Sequence, residues 1–247
     1  MRNSILKKSI AIVFALAVWQ IASMLVGYEI LLASPLAVLR TLAGTVTTGS
    51  FWATVGFSTL RIVAGFLAAF ICGLLLGILA GRFSWIKTLL WPFMVCIRSV
   101  PVASFIVLSL FWLKASDLSV FVCFLACLPA VYNNVTEGLE NVDMGQIEAA
   151  LMLGAPWPRI VRTVYIPNIE PYLLSAVSTG CGMAFKAGVA AEVVAVVSGS
   201  IGEQIYMSKV YFETAQLFAW TLVIILLSFV FEKLFLMALK AAIRASV

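Results

Sequence analysis

The chain has 247 residues, of which 63% are hydrophobic and 11% are charged, and its formal net charge is +5. With a mean hydropathy of +1.11, it is far more apolar than a soluble globular domain, and this composition predicts an integral membrane protein. Its apolar runs are continuous, whereas the strands of a transmembrane β-barrel alternate in polarity, so a barrel is disfavoured. Its basic residues flank these runs without forming a patch, which argues against nucleic-acid binding.

Six apolar runs are long enough to cross a hydrocarbon core of about 30 Å, which takes roughly 20 residues as a helix. The runs are Ile10–Val26, Ala53–Ala80, Phe93–Leu113, Leu118–Val135, Tyr172–Val197 and Ala215–Met237. They predict an all-α integral membrane protein with six transmembrane helices. We divide the chain into residues 1–50, with the first transmembrane helix and an external amphipathic segment, and residues 51–240, which form the core domain.

The first run has an alternative interpretation as a secretory signal. Arg2, Lys7 and Lys8 precede it, and a small "ALA" lies inside it, as in a cleavable leader. Because the run continues to Val26 and further spans follow, we favour an uncleaved first helix.

A short helix is predicted between the first two spans. Ser34 and Pro35 have the residue types of an N-cap and a first helical position. Apolar residues then recur at helical spacing, at Leu36, Leu39, Ala43 and Val46. The pattern predicts a helix along the outer interface, and the alternative is a plain connector.

Two overlapping GxxxG spacings lie on one face of the second span. They are formed by Gly73, Gly77 and Gly81, and such spacings let a second helix backbone approach closely. We expect close packing inside the bundle, and a contact between two copies is the alternative.

The distribution of basic residues predicts the orientation of the spans. The side of the termini holds Arg2, Lys7, Lys8, Arg82, Lys87, Arg159, Arg162, Lys233, Lys240 and Arg244, and the opposite loops hold Arg40, Lys114 and Lys209. Because ten basic residues lie on the side of the termini and three on the other, the positive-inside rule predicts that both termini are in the cytoplasm.

Cysteine and histidine content gives little chemistry. All five cysteines lie inside apolar runs and the chain has no His, so we expect buried small hydrophobic side chains and no metal site.

The segment from Asp143 to Pro167 interrupts the apolar pattern on the cytoplasmic side. Asp143 and Gln146 have the spacing of a capping box before a short helix at about 145–153, in which Ile147 and Leu151 are one turn apart. Gly154 can end that helix with a positive φ.

A second short helix is expected directly after this turn. Pro158 fits its first position, and residues 159–166 follow, with Ile160, Val161, Val164 and Tyr165 as an apolar stripe while Arg159 and Arg162 face away. Since Ile166 precedes Pro167, the helix should stop there. Asn168 would then cap the fifth span, with Pro171 in its first turn. The residues alone predict a helix–turn–helix elbow at about 143–167, and leave open whether it is a docking surface or a folded loop.

The same stretch resembles the EAA motif of permease subunits of bacterial ABC importers. "EAALMLG" followed by "VYIP" has the Glu-Ala-Ala, the Gly and the Pro at the family's spacing, with Val164 and Ile166 in place of Ile and Leu. "SPLAVLRTL", "STLRIVAGFLAAFICGLLLGILAG" and "AAEVVAVVSGSIGEQI" resemble the nitrate, sulfonate and taurine group. The third span keeps the group's Arg-x-x-Pro opening with fewer prolines after it.

The resemblance implies a MetI-like type I ABC importer permease fold in a bacterial cytoplasmic membrane. A homodimer would form the route for a small solute, such as a sulfonate anion, that an external substrate-binding protein delivers. Two copies of an ABC ATPase subunit would bind the elbows and hold ATP and Mg, with no cofactor on this chain. The coupling residues would be Glu148, Ala149, Ala150, Gly154, Pro158, Arg159 and Pro167.

The chain lacks a G-x-x-x-x-G-K-[ST] phosphate-binding loop, so a separate ATPase is required and no catalytic residue is expected. Two other readings stay open, an integral-membrane enzyme and a secondary transporter without an ATPase. The lack of His and of clustered carboxylates disfavours the enzyme, and no inverted repeat supports the secondary transporter.

Charged residues inside the apolar runs are candidates for the substrate pathway. They are Arg61, Arg98, Lys186 and Glu192, and a charge at mid-bilayer costs roughly 2.5–3.5 kcal/mol on insertion scales. By helical rise, Arg61 and Glu192 lie at a similar depth and could pair. These charges either form packing ion pairs, or Lys186 and Arg98 line a route that tolerates anions.

Overall fold

The computed structural model describes residues 2–246, all of whose regular elements are helices. The described part leaves out Met1, Val247 and the side chains of residues 2–5, 8 and 246. Two basic side chains that were counted for the orientation of the spans, those of Arg2 and Lys8, are therefore outside it. The elements are α1 (Arg2–Val26), α2 (Pro35–Val46), α3 (Gly49–Arg82), α4 (Ser84–Ser99), α5 (Val102–Ser109), α6 (Ala115–Glu140), α7 (Met144–Met152), α8 (Trp157–Ile160), a π-helical turn (Val161–Tyr165), α9 (Ile166–Ala195), α10 (Ile201–Val210) and α11 (Thr214–Ser246).

Among the described residues, five helices are long and apolar enough to cross a membrane. They are α1, α3, α6, the continuous helix from α8 to α9, and α11, and α4 with α5 makes a sixth span if the pair is counted together. The all-α membrane fold and the five unbroken spans are as predicted.

The third span is not the straight helix that the run Phe93–Leu113 predicted. Helix α4 starts earlier, at Ser84, and the axes of α4 and α5 differ by 98°. Val100, between them, is extended, with φ −77° and ψ 132°, because the ring of Pro101 disfavours the helical conformation for the residue before it. The third span is therefore broken at Val100, after the 16 residues of α4 and before the 8 residues of α5.

Helix α6 occupies the centre of the bundle, between α3 and α9. An added Cβ on Gly73 or Gly77 of α3 would lie 2.8 or 2.7 Å from the Cβ atom of Val131 or Val135 of α6. Only glycine lets the two helices approach this closely. The GxxxG spacing thus serves packing inside the bundle, as predicted.

Helix α2 is present at the predicted position, and a face other than the predicted apolar stripe packs against the bundle. Ser34 caps it by accepting a hydrogen bond from the Ala37 N–H at 3.2 Å. Val38 packs with Ala33 and Ala219, while Leu36 and Leu39 are exposed. Ala43 of the predicted stripe is exposed as well, so these three residues are free to contact the membrane interface, while Val46 packs partly buried beside Phe51.

Three of the five cysteines are buried, as expected. The thiols of Cys123 and Cys127 donate to the carbonyls of Ala184 and Gly180, at 3.0 and 3.3 Å. They join α6 to α9. Cys96 is exposed, contrary to the prediction.

Candidate functional site

The elbow begins with α7, one residue earlier than predicted. Asp143 caps it by accepting a hydrogen bond from the Gly145 N–H at 2.8 Å. The Gln146 side chain does not complete a capping box, because its Oε1 atom accepts from Asn168 Nδ2 at 3.2 Å. Gln146 thus joins the first elbow helix to the start of the fifth span.

Gly154 ends α7 as predicted. Its φ is +70°, its N–H donates to the Leu151 carbonyl at 2.9 Å, and the Ala155 N–H donates to the Ala150 carbonyl at 3.0 Å. This pair of bonds is a Schellman motif. An added Cβ would meet no atom within 4 Å, so the backbone conformation, and not space, selects glycine here.

The second half of the elbow does not stop at Ile166. Helix α8 starts at Trp157, with Pro158 in its second position, and passes through the π-helical turn directly into α9. The Ile166 N–H donates to the Val161 carbonyl, five residues back, and this wider turn accommodates Pro167, which has no N–H to donate. Asn168 and Pro171 therefore lie inside a continuous helix, and Asn168 is no cap: its Nδ2 donates to the Val164 carbonyl at 2.8 Å.

A small apolar core holds the two arms of the elbow together. Val142, Ile147, Ile160 and Val164 are buried against one another. Arg159 and Arg162 point away from this core and are exposed, as the stripe predicted. Leu151, which was expected to share the face of Ile147, is exposed instead.

The tip of the elbow exposes apolar side chains that the sequence analysis did not single out. Met152 and Leu153 are 88% and 86% exposed, and Trp157 is 58% exposed. Of the seven residues that the family resemblance assigns to coupling, Ala150 is half-buried and six are exposed: Glu148, Ala149, Gly154, Pro158, Arg159 and Pro167. The sequence could have predicted this exposure, because the helical spacing places Met152 and Leu153 on a different face from the buried Ile147.

Inside the bundle, Glu192 is completely buried and connects four helices. Its Oε2 atom accepts from the Ser58 hydroxyl at 2.8 Å and the Gly202 N–H at 3.3 Å, and its Oε1 atom accepts from the Ser119 hydroxyl at 3.3 Å. Ser58 also accepts from the Ile201 N–H at 2.8 Å. Glu192 and Ser58 therefore satisfy the first N–H groups of α10, which folds back onto α9.

Arg61 does not form the predicted contact with Glu192. The only ion pair among the described side chains joins Lys87 and Glu140. The guanidinium of Arg61 lies 4.2 Å from the centre of the Phe57 ring, and its Nη1 atom is buried without a hydrogen-bond partner.

The other two intramembrane cations lie on exposed faces of this chain. Lys186 shares one face of α9 with Ser175 and Thr179, all exposed, and Arg98 lies in the last turn of α4. In the described part of the chain, neither cation has a hydrogen-bond or ion-pair partner. Both are therefore available to a group outside the chain.

Glu232 is an intramembrane charge that the sequence analysis missed. It accepts a hydrogen bond from the Ser178 hydroxyl at 2.7 Å and joins α11 to α9. Its position within the apolar run "FVFEKLFL" could have identified it as an intramembrane charge.

Comparison with known proteins agrees with these features. Residues 73–243 match the family described as the binding-protein-dependent transport system inner membrane component. The chain belongs to this family. It is a permease subunit of an ABC importer, a transport component of the membrane.

Three relatives show how the likeness extends. A provisionally named ABC transporter permease protein of Methanocaldococcus jannaschii is 29% identical over 193 residues, 76% of this chain and 72% of the relative. A provisionally named aliphatic sulfonates transport permease protein of Bacillus subtilis is 27% identical over 206 residues, covering 83% and 74%. The taurine transport system permease protein of Escherichia coli is 27% identical over 220 residues, covering 87% and 80%.

Proposed function

We propose that two copies of this permease form the route for a small anionic solute, which an external binding protein delivers and two ATPase subunits drive. ATP and Mg are held by the ATPases, and this chain holds no cofactor. The observation that carries the proposal is the exposed apolar tip of the elbow, Met152 and Leu153, on a motif that resembles the EAA motif.

The tip has the properties of a docking surface. Large apolar side chains that are almost fully exposed at the end of a capped helix mark a site of protein contact. The Schellman turn at Gly154 and the apolar core around Ile147 fix the direction of the tip, so a push on it is transmitted and not absorbed.

Helix continuity supports a mechanical role for α9. The helix from Trp157 to Ala195 runs for 39 residues, about 58 Å by helical rise, from the elbow to the Glu192 network. A displacement of the elbow would therefore reach α10 at the opposite end of the bundle. ATP-driven closure of two ATPases would move both copies in this way.

An anionic solute is supported by the charges inside the membrane and by the relatives. Among the described residues, Lys186 and Arg98 are exposed cations within the spans that have no hydrogen-bond or ion-pair partner, whereas Glu192 is buried and fully hydrogen-bonded. Two of the relatives are named for aliphatic sulfonates and taurine. The proposed pathway region consists of Lys186 and Arg98 together with Glu192, the centre of the Glu192 network, and Arg61, which lies one turn from Ser58 of that network.

The location follows from the same assignment. The protein lies in a bacterial inner membrane, with both termini and the elbow in the cytoplasm, because ten basic residues on that side outnumber three on the other.

Co-purification tests the docking surface. From native membranes in mild detergent, we expect the chain to bring down a protein with a phosphate-binding loop. The double variant M152Q/L153Q should lower the recovered ATPase by roughly tenfold or more, since two exposed apolar contacts are worth a few kcal/mol.

Met144→Gln is the matched control, because Met144 is 64% exposed on the same helix but at its other end. Wild-type recovery of the ATPase with M152Q/L153Q would contradict docking at the tip, and no ATPase with the wild-type chain would contradict the partnership.

A further inference from the structure

A cavity of about 440 Å³ opens between α4 and the cytoplasmic half of α6. Its lining includes Lys87, Trp91 and Arg98 from α4, and Tyr132, Asn133 and Glu140 from α6. Its volume lies in the range of small-molecule sites, roughly 300–1,000 Å³. The cavity belongs neither to the elbow nor to the Glu192 network.

The charges of this cavity are separated along its depth. Lys87 and Glu140 form an ion pair at the end that follows the short α3–α4 connection. Glu137 lines the cavity between its two ends, one turn of α6 from Glu140 and one turn from Asn133. Arg98 is 11 residues beyond Lys87 on α4, about 16 Å further into the bundle. The ion pair thus lies at one end of the cavity and Glu137 lies between, while Arg98 is the charge at the other end, which we call the deep end.

Two side chains of the deep end have unused hydrogen-bonding groups. Neither the guanidinium of Arg98 nor the amide of Asn133 has a hydrogen-bond partner within the described residues. Glu140 neutralises Lys87, so Arg98 is the cation of the cavity that is free to bind. A planar guanidinium with several N–H donors suits a sulfonate or carboxylate group, and an amide N–H adds a further donor.

We propose that this cavity is an anion-binding subsite on the cytoplasmic half of the solute route, with Arg98 and Asn133 as its ligands. The proposal rests on the proposed import function and adds where in the chain the anionic group binds. A free cation at this depth cannot face lipid without a large cost, and a water-filled cavity that admits anions removes that cost.

Thiol labelling tests this subsite without knowledge of the natural solute. The probes are two methanethiosulfonates of similar size, one with a sulfonate and one with a trimethylammonium group, each of which transfers its thioalkyl group to a cysteine thiolate and releases methanesulfinate. Asn133→Cys is placed in the full chain in inside-out vesicles, with Cys72 and Cys96 replaced by Ser so that the three buried thiols remain. Trp91→Cys supplies a second position.

We expect the sulfonate probe to react roughly fivefold faster or more than the cationic probe, because Arg98, which lines the same cavity as both positions, attracts one probe and repels the other. Adding Arg98→Gln should bring the two rates together, and Arg98→Lys should retain part of the preference. Arg82→Gln, a basic residue at the cytoplasmic end of α3 outside the cavity, should leave the preference unchanged.

Equal rates for both probes, a preference that persists in Arg98→Gln, or no reaction at either position overturns the proposal. Co-purification of the ATPase from the same vesicles separates this result from the proposed function. If the ATPase co-purifies and the two probes react at equal rates, the proposed import function is supported and the anion-binding subsite is rejected.

Discussion

Glu192 holds four helices together through its buried carboxylate. Both of its carboxylate oxygens accept hydrogen bonds from Ser58, Ser119 and Gly202, and no part of the residue is exposed. A buried carboxylate is stable only when it is fully hydrogen-bonded in this way. Its charge therefore serves to hold α10 against α3, α6 and α9.

Replacement of Glu192 should destabilise the protein in proportion to the hydrogen bonds lost. Glu192→Leu leaves the Gly202 N–H and two hydroxyls without an acceptor, at roughly 1–3 kcal/mol for each buried group. Glu192→Gln keeps one oxygen, and the serine hydroxyls can rotate to accept from its amide. We expect thermal unfolding in detergent to occur at a lower temperature for Gln and lower still for Leu. Equal unfolding temperatures for all three proteins would contradict this role.

Helical rise predicted the depth of Glu192 but not its partners. Ser58, which contacts Glu192, is one turn from Arg61 on α3. The predicted depth of the partner on α3 was therefore close, but the predicted partner, Arg61, was wrong. Rotation about a helix axis is set by packing against residues that are distant in sequence, 134 positions for Ser58 and Glu192. That rotation cannot be read from spacing within one span.

At the scale of elements, α3, α6 and α9 pack closely through glycine and cysteine. Gly188 of α9 faces Cys123 and Ile62, and Gly180 faces Phe66. Small residues at such contacts permit the dispersion interactions that hold membrane helices together. The central three helices therefore form the rigid part of the bundle.

Gly73→Ala should test this packing. Its Cβ would lie 2.8 Å from the Cβ of Val131, so α3 and α6 must separate, at a cost of roughly 1–3 kcal/mol. Gly56→Ala on the same helix is the control, because an added Cβ there meets nothing within 4 Å and alanine favours the helix by about 1 kcal/mol. We expect a lower unfolding temperature for Gly73→Ala alone. Equal behaviour of the two variants would contradict the close approach.

Sequence patterns predicted the existence of most elements and missed two irregular ones. Long apolar runs correctly predicted five spans. The capping residues Ser34 and Asp143 and the turn residue Gly154 correctly predicted where helices begin or end. The break at Val100 was hidden by the apolar run around it, although Pro101 was a visible signal. The continuous helix through Pro167 could not be expected, because a π-helical turn depends on how the elbow packs on α9 and has no simple sequence signature.

At the scale of the whole molecule, the continuous helix from Trp157 to Ala195 connects the elbow, which carries the proposed docking tip, to the Glu192 network. A solute route that opens alternately needs two arrangements of a rigid element, and a helix of 39 residues that reaches both ends of the bundle can supply this. The proposed coupling therefore depends on one contact, between the tip of the elbow and a separate ATPase in the cytoplasm.

Site-specific photocrosslinking at Met152 tests that contact most directly. A photoreactive amino acid at Met152, in cells that hold the complete transporter, should yield a crosslinked product whose second protein contains a phosphate-binding loop. The same group at Met144 should give little of it. This product would also place the elbow, and with six spans both termini, in the cytoplasm. A crosslink from Met152 to lipid or to an extracytoplasmic protein, with none to an ATPase, would contradict the account.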